Sequence, residues 1–342
     1  MTTTETETVK LETALFNPRH ADAPHDMYAA LRASGAVTRG IGMEGVPAVY
    51  VTRYEEAVWA LRHPEVFSSA PEAVSIGQDQ PLIPLQVDPP DHAKYRRFLD
   101  PEFSPRRIGE LDADGRAIVN GIIDSFIDRG GCDVHEDFAT PLPSSIFLRL
   151  MGLPRQDLAR FLQWRDDTIR PDVAPGDMDG AAAIRDRVGQ EITAYFNDAL
   201  DEQARAPGPG LMARIASGQV EDRPLTRKEQ LGICHLLLLG GLDTVTATLD
   251  CALAYLARNP EQRRRLVTEP GLAPGAVEEL LRWETPVMMV VRVIKTDAEL
   301  AGVQLHAGDH AAILIGAANL DEEFPEADRV EFARETNRHL SF

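Results

Sequence analysis

Cysteine is scarce in this chain. Its 342 residues include three, Cys132, Cys234 and Cys251, and their positions do not have metal-ligand spacing. This usage predicts reduced, mostly buried thiols in a cytoplasmic protein and excludes an iron–sulfur cluster. A Gly-rich dinucleotide fingerprint after a strand is also missing, so the sequence predicts no flavin module of its own.

Basic residues are outnumbered by acidic ones, 35 against 54, which gives a net charge of −19 and argues against nucleic acid as a partner. Nowhere do 18 uncharged apolar residues follow one another, so we expect neither a signal peptide nor a membrane anchor. We expect a disordered polar tail over residues 1–15 and a single domain over 16–342, although this length could also form two average domains.

The residue pattern along the chain predicts a mainly α protein with small β-sheets. Helices are expected at 54–62, 91–100, 105–129, 141–151, 155–169, 181–206, 210–217, 260–268 and 274–283. Strands are expected at 47–52, 290–295 and 299–305, with an apolar run at 311–315, a long loop at 71–90, and an irregular tail from 320 to 342.

A long apolar helix is predicted from Thr226 to Asn259, with a capping box at Thr226 and Glu229 and a stop at Pro260. Apolar residues go almost all the way round this helix, so it should be buried. The run Gly-Gly-Leu-Asp-Thr at 240–244 interrupts it. Each glycine costs about 1 kcal/mol relative to alanine in a helix, and burying the aspartate costs more.

The interruption has a functional and a structural interpretation. The glycines let a flat or small group approach the backbone, and Thr244 should bond the carbonyl of Gly240 and bend the helix. Asp243 beside it supplies a proton-exchanging group in a dry site. In the alternative, the glycines serve close helix packing and Asp243 reaches solvent. Taken alone, the motif leaves both open.

Further motifs follow in a fixed order, and together they resemble the bacterial cytochrome P450 family from about Met27 onward. The fold this implies is the cytochrome P450 fold. The motifs are Asp88-Pro89-Pro90-Asp91-His92 with Arg96 and Arg97, then the run at 240–244, Glu279-Leu280-Leu281-Arg282, Thr285-Pro286-Val287, Arg292, Ala327-Asp328-Arg329, and Arg338-His339-Leu340-Ser341-Phe342.

The resemblance implies haem b as the cofactor. An ionised propionate buried in a protein needs charge-assisted donors. The residues similar to the family's haem contacts are His92, Arg96, Gly240, Arg292, His339 and Phe342. Glu279, Arg282 and Arg329 resemble its buried ion-pair triad, which is structural and holds the irregular tail. Thr244 would hydrogen-bond dioxygen at the haem, and Asp243 would help to relay protons to it.

By the same resemblance, a small, largely apolar substrate would contact residues on the central helix and after the Glu-x-x-Arg helix. These are Leu236, Leu237, Val287, Met288, Met289 and Val290, with Gly240 also beside the substrate. Core packing is an alternative for the two methionines. The loop from Pro71 to Leu85 and the segment around Trp164 would form a mobile lid.

The sequence departs from the family at its end. In the family, a Gly-rich loop after the residue that corresponds to Phe342 bears the cysteine whose thiolate binds the iron, and a helix follows. None of the three cysteines here resembles that ligand, so no metal ligand is assigned within the chain. We expect the chain to be a fragment of a longer parent that lacks this loop and helix, with the axial cysteine beyond Phe342.

The function implied is a haem-dependent monooxygenase that inserts one atom of O2 into its substrate. Electrons would come from a ferredoxin-type donor with its reductase, docking on the locally basic segment from His92 to Arg107. A solvated helix face is the alternative for that segment. We expect a cytoplasmic monomer. The alternative function is a catalytically silent member of the fold that binds a ligand or a partner.

Overall fold

The structure is a computed structural model that describes residues 24–42, 47–71, 80–174 and 176–341. Predictions for the tail at 1–15, for the loop residues 72–79 and for Phe342 lie outside the described residues. Within them, helices predominate and the strands are short, as the sequence predicts.

The α-helices, in chain order, are α1 (Pro24–Ser34), α2 (Tyr54–Arg62), α3 (Asp91–Leu99), α4 (Pro105–Glu110), α5 (Asp112–Phe126), α6 (Pro141–Met151), α7 (Leu158–Ile169), α8 (Met178–Arg205), α9 (Leu211–Ala216), α10 (Arg227–Leu242), α11 (Thr244–Arg258), α12 (Pro260–Thr268), α13 (Ala273–Glu284) and α14 (Ile315–Ala318). The strands are β1 (Val37–Ile41), β2 (Pro47–Val51), β3 (Phe67–Ser68), β4 (Gln219–Val220), β5 (Arg223–Pro224), β6 (Val290–Ile294), β7 (Ala298–Leu300), β8 (Val303–Leu305) and β9 (His310–Ile313).

Local sequence signals account for several helix ends. Pro141 occupies the first turn of α6, and Gly152 ends this helix with a φ of 75°. The capping box of Thr226 and Glu229 is formed at the start of α10. The helix predicted over 105–129 is instead two helices, α4 and α5, that meet at Leu111. The sequence analysis did not predict α1 and β1.

The described residues pack as two compact units, 24–71 with 251–341 and 80–250. The first unit holds a five-stranded sheet in the order β1-β2-β9-β6-β3, in which β2 and β9 are parallel and the other pairs antiparallel. Val49 and Val51 of β2 and Ile313 of β9 are fully buried on this sheet. The single domain over 16–342 stays a prediction.

The second unit has a helical core built mainly from α6 to α10. Phe161 of α7 lies at its centre, with its ring centroid 5.8 Å from Phe147 and 6.1 Å from Phe196. Ile233 and Leu238 of α10 are fully buried in the same cluster. This confirms that α10 is a core helix.

Burial of the predicted helix is confirmed for residues 229–235 of α10, is partial over residues 236–242, and is wrong for α11. Among the described residues of α11, Thr246 alone is buried, and Val245 is 43% exposed. Most of α11 is half-buried: Tyr255 and Leu256 lie against the cluster of Ala276, Leu280 and Phe332, and Asp250 contacts Nδ1 of His135 at 2.7 Å. By length and composition, 227–258 could also cross a membrane, a criterion that core helices of soluble proteins meet too.

Candidate functional site

The interrupted helix breaks at one residue, Asp243, which lies in a turn between α10 and α11. The amide nitrogen of Asp243 is 3.5 Å from the carbonyl oxygen of Leu239, a long bond for a helix. The hydroxyl of Thr244 donates to the carbonyl oxygen of Gly240 at 2.8 Å. The expected backbone bond of Thr244 is therefore confirmed, and it lies at the point where the helix opens.

The two glycines of the motif have different surroundings. A Cβ at Gly241 would lie 2.8 Å from Cδ2 of Phe147, so this glycine is needed for close packing between α10 and α6. Within the part of the chain that the structure describes, a Cβ at Gly240 would meet no atom within 4 Å apart from its helix and chain neighbours, and the residue is exposed. The packing interpretation therefore fits Gly241, whereas Gly240 leaves the backbone open to a flat group.

Asp243 is held by an arginine that directly follows another helix. Its Oδ1 atom lies 2.7 Å from Nη2 of Arg170, the residue that follows α7. The Asp243 side chain is 19% exposed, so its charge is largely withdrawn from water and compensated by the guanidinium. The alternative in which Asp243 reaches solvent holds only in part, because the carboxyl group is partly exposed and paired with an exposed arginine.

The predicted substrate contacts have mixed surroundings. Leu236 and Leu237 are half-buried on α10. Met288 and Met289 pack against the buried cluster that contains Tyr28, which favours core packing for both. Val287 and Val290 are half-buried, and Val290 pairs with a residue of β9 in the sheet.

Trp164, predicted to lie in a mobile lid, is a core residue. It is 3% exposed and its indole nitrogen donates to Oε2 of Glu191 at 3.0 Å. α7 turns this side chain toward α8, where its ring meets Phe161 and Tyr195, and the lid role of the segment stays a prediction.

The predicted haem-propionate donors belong to both units. His92 and Arg96 share α3, as expected, but Nη2 of Arg96 is 2.9 Å from Oδ1 of Asp100 and the side chain is 55% exposed. Arg292 lies half-buried on β6, and its Nη1 donates to the carbonyl oxygen of Val291.

His339 gives the clearest test of whether these residues fit such a group. Its side chain is 6% exposed, and Nε2 is 2.9 Å from Oε2 of Glu278. Its Nδ1 is buried and has no hydrogen-bond partner among the described residues. A buried nitrogen without a partner is costly. Because Nε2 faces the carboxylate of Glu278, Nδ1 can donate to an anionic oxygen only when both ring nitrogens carry hydrogen. His339 therefore fits a propionate.

The structural ion-pair cluster forms around Glu279, which is fully buried. Both of its oxygens bond Arg282, at 2.8 and 2.9 Å, and both bond Arg334, at 3.0 and 2.9 Å. Burial alone would raise the pKa of Glu279, but the hydrogen bonds from the two arginines lower it.

The prediction that Arg329 is the third member of this cluster is wrong. The guanidinium of Arg329 is 71% exposed and pairs with Glu326, while its carbonyl oxygen accepts a bond from Arg282 at 2.8 Å. Arg334, five residues later, has its side chain 8% exposed and supplies the second cation. The path of the irregular tail turns Arg334, and not Arg329, toward Glu279.

The cysteines have three different environments. Cys234 is fully buried in α10, with its sulfur 3.7 Å from that of Met212, and burial raises the pKa of its thiol. Cys251 is half-buried, and Cys132 is exposed. The expectation of mostly buried thiols therefore holds for Cys234 alone.

These features define a mainly helical protein with an acid–alcohol pair at a break in its central helix and a buried Glu-Arg-Arg cluster holding an irregular tail. No family model matches the chain. It is 33% identical over 296 residues to "Probable cytochrome P450 127A1" of Sinorhizobium fredii, covering 85% of this chain and 69% of that one. It is 33% identical over 299 residues to "Steroid C26-monooxygenase" of Mycobacterium tuberculosis, covering 84% and 77%.

Among solved structures, the myxobacterial cytochrome P450 CYP267B1 in complex with myristic acid superposes with a TM-score of 0.86 at 32% identity, over 96% of this chain and 84% of that one. The chain belongs to the cytochrome P450 family, and its fold is the cytochrome P450 fold. It is thereby an oxidoreductase of the haem monooxygenase class.

Proposed function

We propose that this protein inserts one atom of O2 into a small, largely apolar organic substrate, with haem b as its cofactor. The observation that carries the proposal is the break at Asp243 and Thr244 beside the open backbone of Gly240. A silent binding module would have no need for a desolvated acid and a bent helix at this place, so that alternative is not favoured.

The haem, when bound, supplies the redox chemistry, and the residues of the chain bind, orient and move protons. Gly240 lets the flat group lie close to α10. His92, Arg96, Arg292 and His339 donate to its propionates, and Arg96 exchanges its bond to Asp100 for this purpose. Phe342 is proposed to contact the haem as well.

Asp243 and Thr244 are proposed to serve proton delivery in different ways. The hydroxyl hydrogen of Thr244 is bonded to the carbonyl oxygen of Gly240, so Thr244 would act through its oxygen, which accepts a hydrogen bond and orients the group to be protonated. Asp243 would supply the proton, because its carboxyl group can take one up from solvent and release it. Arg170 keeps that carboxyl group in position at the helix break.

The proposed substrate contacts are Leu236, Leu237, Val287 and Val290, together with Met288 and Met289, which also pack against the buried cluster that contains Tyr28. All are apolar and half-buried, which suits an apolar ligand. The names of two similar proteins point the same way, since one acts on steroids and the other was solved with myristic acid.

We also propose a ferredoxin-type electron donor with its reductase, and a cytoplasmic monomer. In the docking segment, most cations are paired: Lys94 with Asp91, Arg96 with Asp100, Arg106 with Glu110, and Arg107 with Glu102 and Glu110. Arg97 is exposed and has no ion pair among the described residues, so it is the cation best placed to meet an acidic partner.

The proposal is tested with 18O2. The haem-loaded protein, a ferredoxin, its reductase and NAD(P)H are incubated with a panel of apolar compounds, and the products are analysed by mass spectrometry. One labelled oxygen atom per product molecule supports a monooxygenase. Binding of the compounds without labelled product, at full reduction of the haem, would support the silent binding module instead.

A further inference from the structure

Arg165, a residue to which the proposed function gives no role, lies buried in α7. Its side chain is 4% exposed, and its Nε and Nη2 atoms contact Oδ1 of Asp166 at 2.9 and 2.8 Å. The third nitrogen, Nη1, is buried and has no hydrogen-bond partner among the described residues. A buried guanidinium nitrogen without an acceptor is costly, so a bound molecule that brings an oxygen would be favoured there.

The position of Arg165 in the fold points to the substrate side of α10. The buried face of α7 consists of Phe161, Trp164, Arg165 and Thr168, and α7 packs against α10. One turn before Arg165, Phe161 contacts Phe147, which in turn lies against Gly241 of α10.

Just over one turn after Arg165, Arg170 reaches Asp243. Arg165 therefore lies between two contacts that join α7 to the end of α10, one made by Phe161 through Phe147 and one made by Arg170. Leu236, Leu237 and Gly240 are located at that end of α10.

Charge balance decides which kind of oxygen would fit. Oδ1 of Asp166 is also 3.8 Å from Nη1 of Arg170, so Arg165, Asp166, Arg170 and Asp243 form a chain of alternating charges. Two cations face two anions in this chain. A carboxylate added to it would be an uncompensated buried charge, whereas a carbonyl or hydroxyl oxygen would accept the hydrogen bond without changing the balance.

We propose that Nη1 of Arg165 donates a hydrogen bond to an uncharged oxygen of the substrate. The preferred substrate is then an apolar molecule with a ketone or hydroxyl group, rather than a plain hydrocarbon or a carboxylic acid. This inference rests on the proposed function, because it requires that an apolar substrate binds beside α10.

The test uses three probes of one shape: 4-phenylcyclohexanone, phenylcyclohexane and 4-phenylcyclohexanecarboxylate. Their dissociation constants for the haem-loaded protein are measured by calorimetry. We expect the ketone to bind about tenfold more tightly than the hydrocarbon, the effect of one hydrogen bond to a charged donor. Arg165→Met should reduce that ratio to about one, and Arg155→Met, at an exposed arginine just before α7, should leave it unchanged.

If Arg165 had only a structural role, Arg165→Met would weaken the binding of the ketone and of the hydrocarbon alike, and the ratio of their affinities would not change. An unchanged ratio in Arg165→Met would therefore overturn the proposal. Asp166→Asn provides a second test if Arg165→Met does not fold. It leaves one cation uncompensated, so binding of the carboxylate should improve relative to the ketone, and no improvement would count against the charge argument. If none of the probes binds the unaltered protein, the proposal that an apolar substrate binds beside α10 is contradicted, and this inference falls with it, whereas the 18O2 experiment still decides on the monooxygenase activity.

Discussion

Arg170 and Asp243 are 73 residues apart in the sequence, and their side chains meet at 2.7 Å. The contact joins the end of α7 to the residue that separates α10 from α11. The hydrogen bond from the amide nitrogen of Asp243 to the carbonyl oxygen of Leu239 is long, at 3.5 Å, whereas the carbonyl oxygen of Asp243 accepts one from Ala247 at 2.9 Å. The carboxyl group itself is held by the guanidinium.

The first prediction concerns this contact. Arg170→Met should lower the rate of product formation by about threefold or more, because the carboxyl group of Asp243 loses its position. In an Asp243→Ala background the same substitution should have no further effect. The measurement is a double-mutant cycle on steady-state turnover, with Arg187→Met, at an exposed arginine of α8, as the control. Equal effects in both backgrounds would show that Arg170 acts independently of Asp243.

Thr244 is the subject of the second prediction. Thr244→Ala should keep substrate affinity but divert NAD(P)H-derived electrons from product to hydrogen peroxide, because the hydroxyl group that assists proton delivery is lost. Thr248→Ala is the matched control, since the hydroxyl of Thr248 makes the same kind of bond one turn later, to the carbonyl of Thr244 at 2.8 Å. The ratio of product to NAD(P)H consumed is measured for both variants. Full coupling in Thr244→Ala would remove the residue from the proton relay.

The helix break was predictable because its causes are local. Two glycines and a threonine that bonds four residues back change the backbone where they stand, so the motif at 240–244 located the break correctly. The pairing of Arg170 with Asp243 was not predictable, because it depends on how α7 packs against α10. A sequence pattern shows which groups need partners but not which distant segment brings them.

The third prediction separates the two arginines of the tail. Arg334→Met should lower the free energy of unfolding by about 3 kcal/mol, because it removes one cation from the fully buried Glu279. Arg329→Met should change it by about 0.5 kcal/mol or less, since that guanidinium is 71% exposed. Urea unfolding of both variants gives the two values. A larger loss in Arg329→Met would restore the arrangement predicted from the sequence.

The sequence predicted Arg329 as the second cation beside Glu279, and the structure has Arg334 there. This difference shows a second limit of prediction from sequence. Glu279 and Arg282 lie three residues apart on one helix, so their pairing follows from helix geometry alone. Their third partner comes from a tail without helix or strand among residues 319–341, where spacing does not determine the direction of a side chain. Both arginines fitted the requirement for a cation, and only the folded path of the tail distinguishes them.

A fourth prediction follows from the cap of α10. Arg223 binds both oxygens of Glu229, and this bond, with further ones from Tyr95 and Thr226, lowers the pKa of the carboxyl group below its ordinary value of 4.5. The ionised form is thus favoured by folding. Its contribution to stability is complete above about pH 4.5 and is lost as the pH falls below that value toward the lowered pKa.

Glu229→Gln should therefore be less stable than the unaltered protein at pH 7, and the difference should shrink as the pH falls below 4.5. Urea midpoints between pH 3 and pH 7 measure this. Glu202→Gln, at an exposed residue of α8, is the control and should follow the unaltered protein throughout. A difference that stays constant with pH would mean that Glu229 stabilises the helix without its charge.

The last prediction concerns electron transfer and distinguishes two arginines of the proposed docking segment. Arg97 has no ion pair among the described residues, whereas Arg106 lies 3.7 Å from Glu110. Arg97→Glu should therefore slow reduction by an acidic ferredoxin strongly at low salt, and Arg106→Glu should slow it less, because part of its charge is already compensated. Both differences should fade as added salt screens the charges. Stopped-flow reduction of the haem at low and high ionic strength measures them. Equal rates for Arg97→Glu and the unaltered protein at low salt would place the docking surface elsewhere.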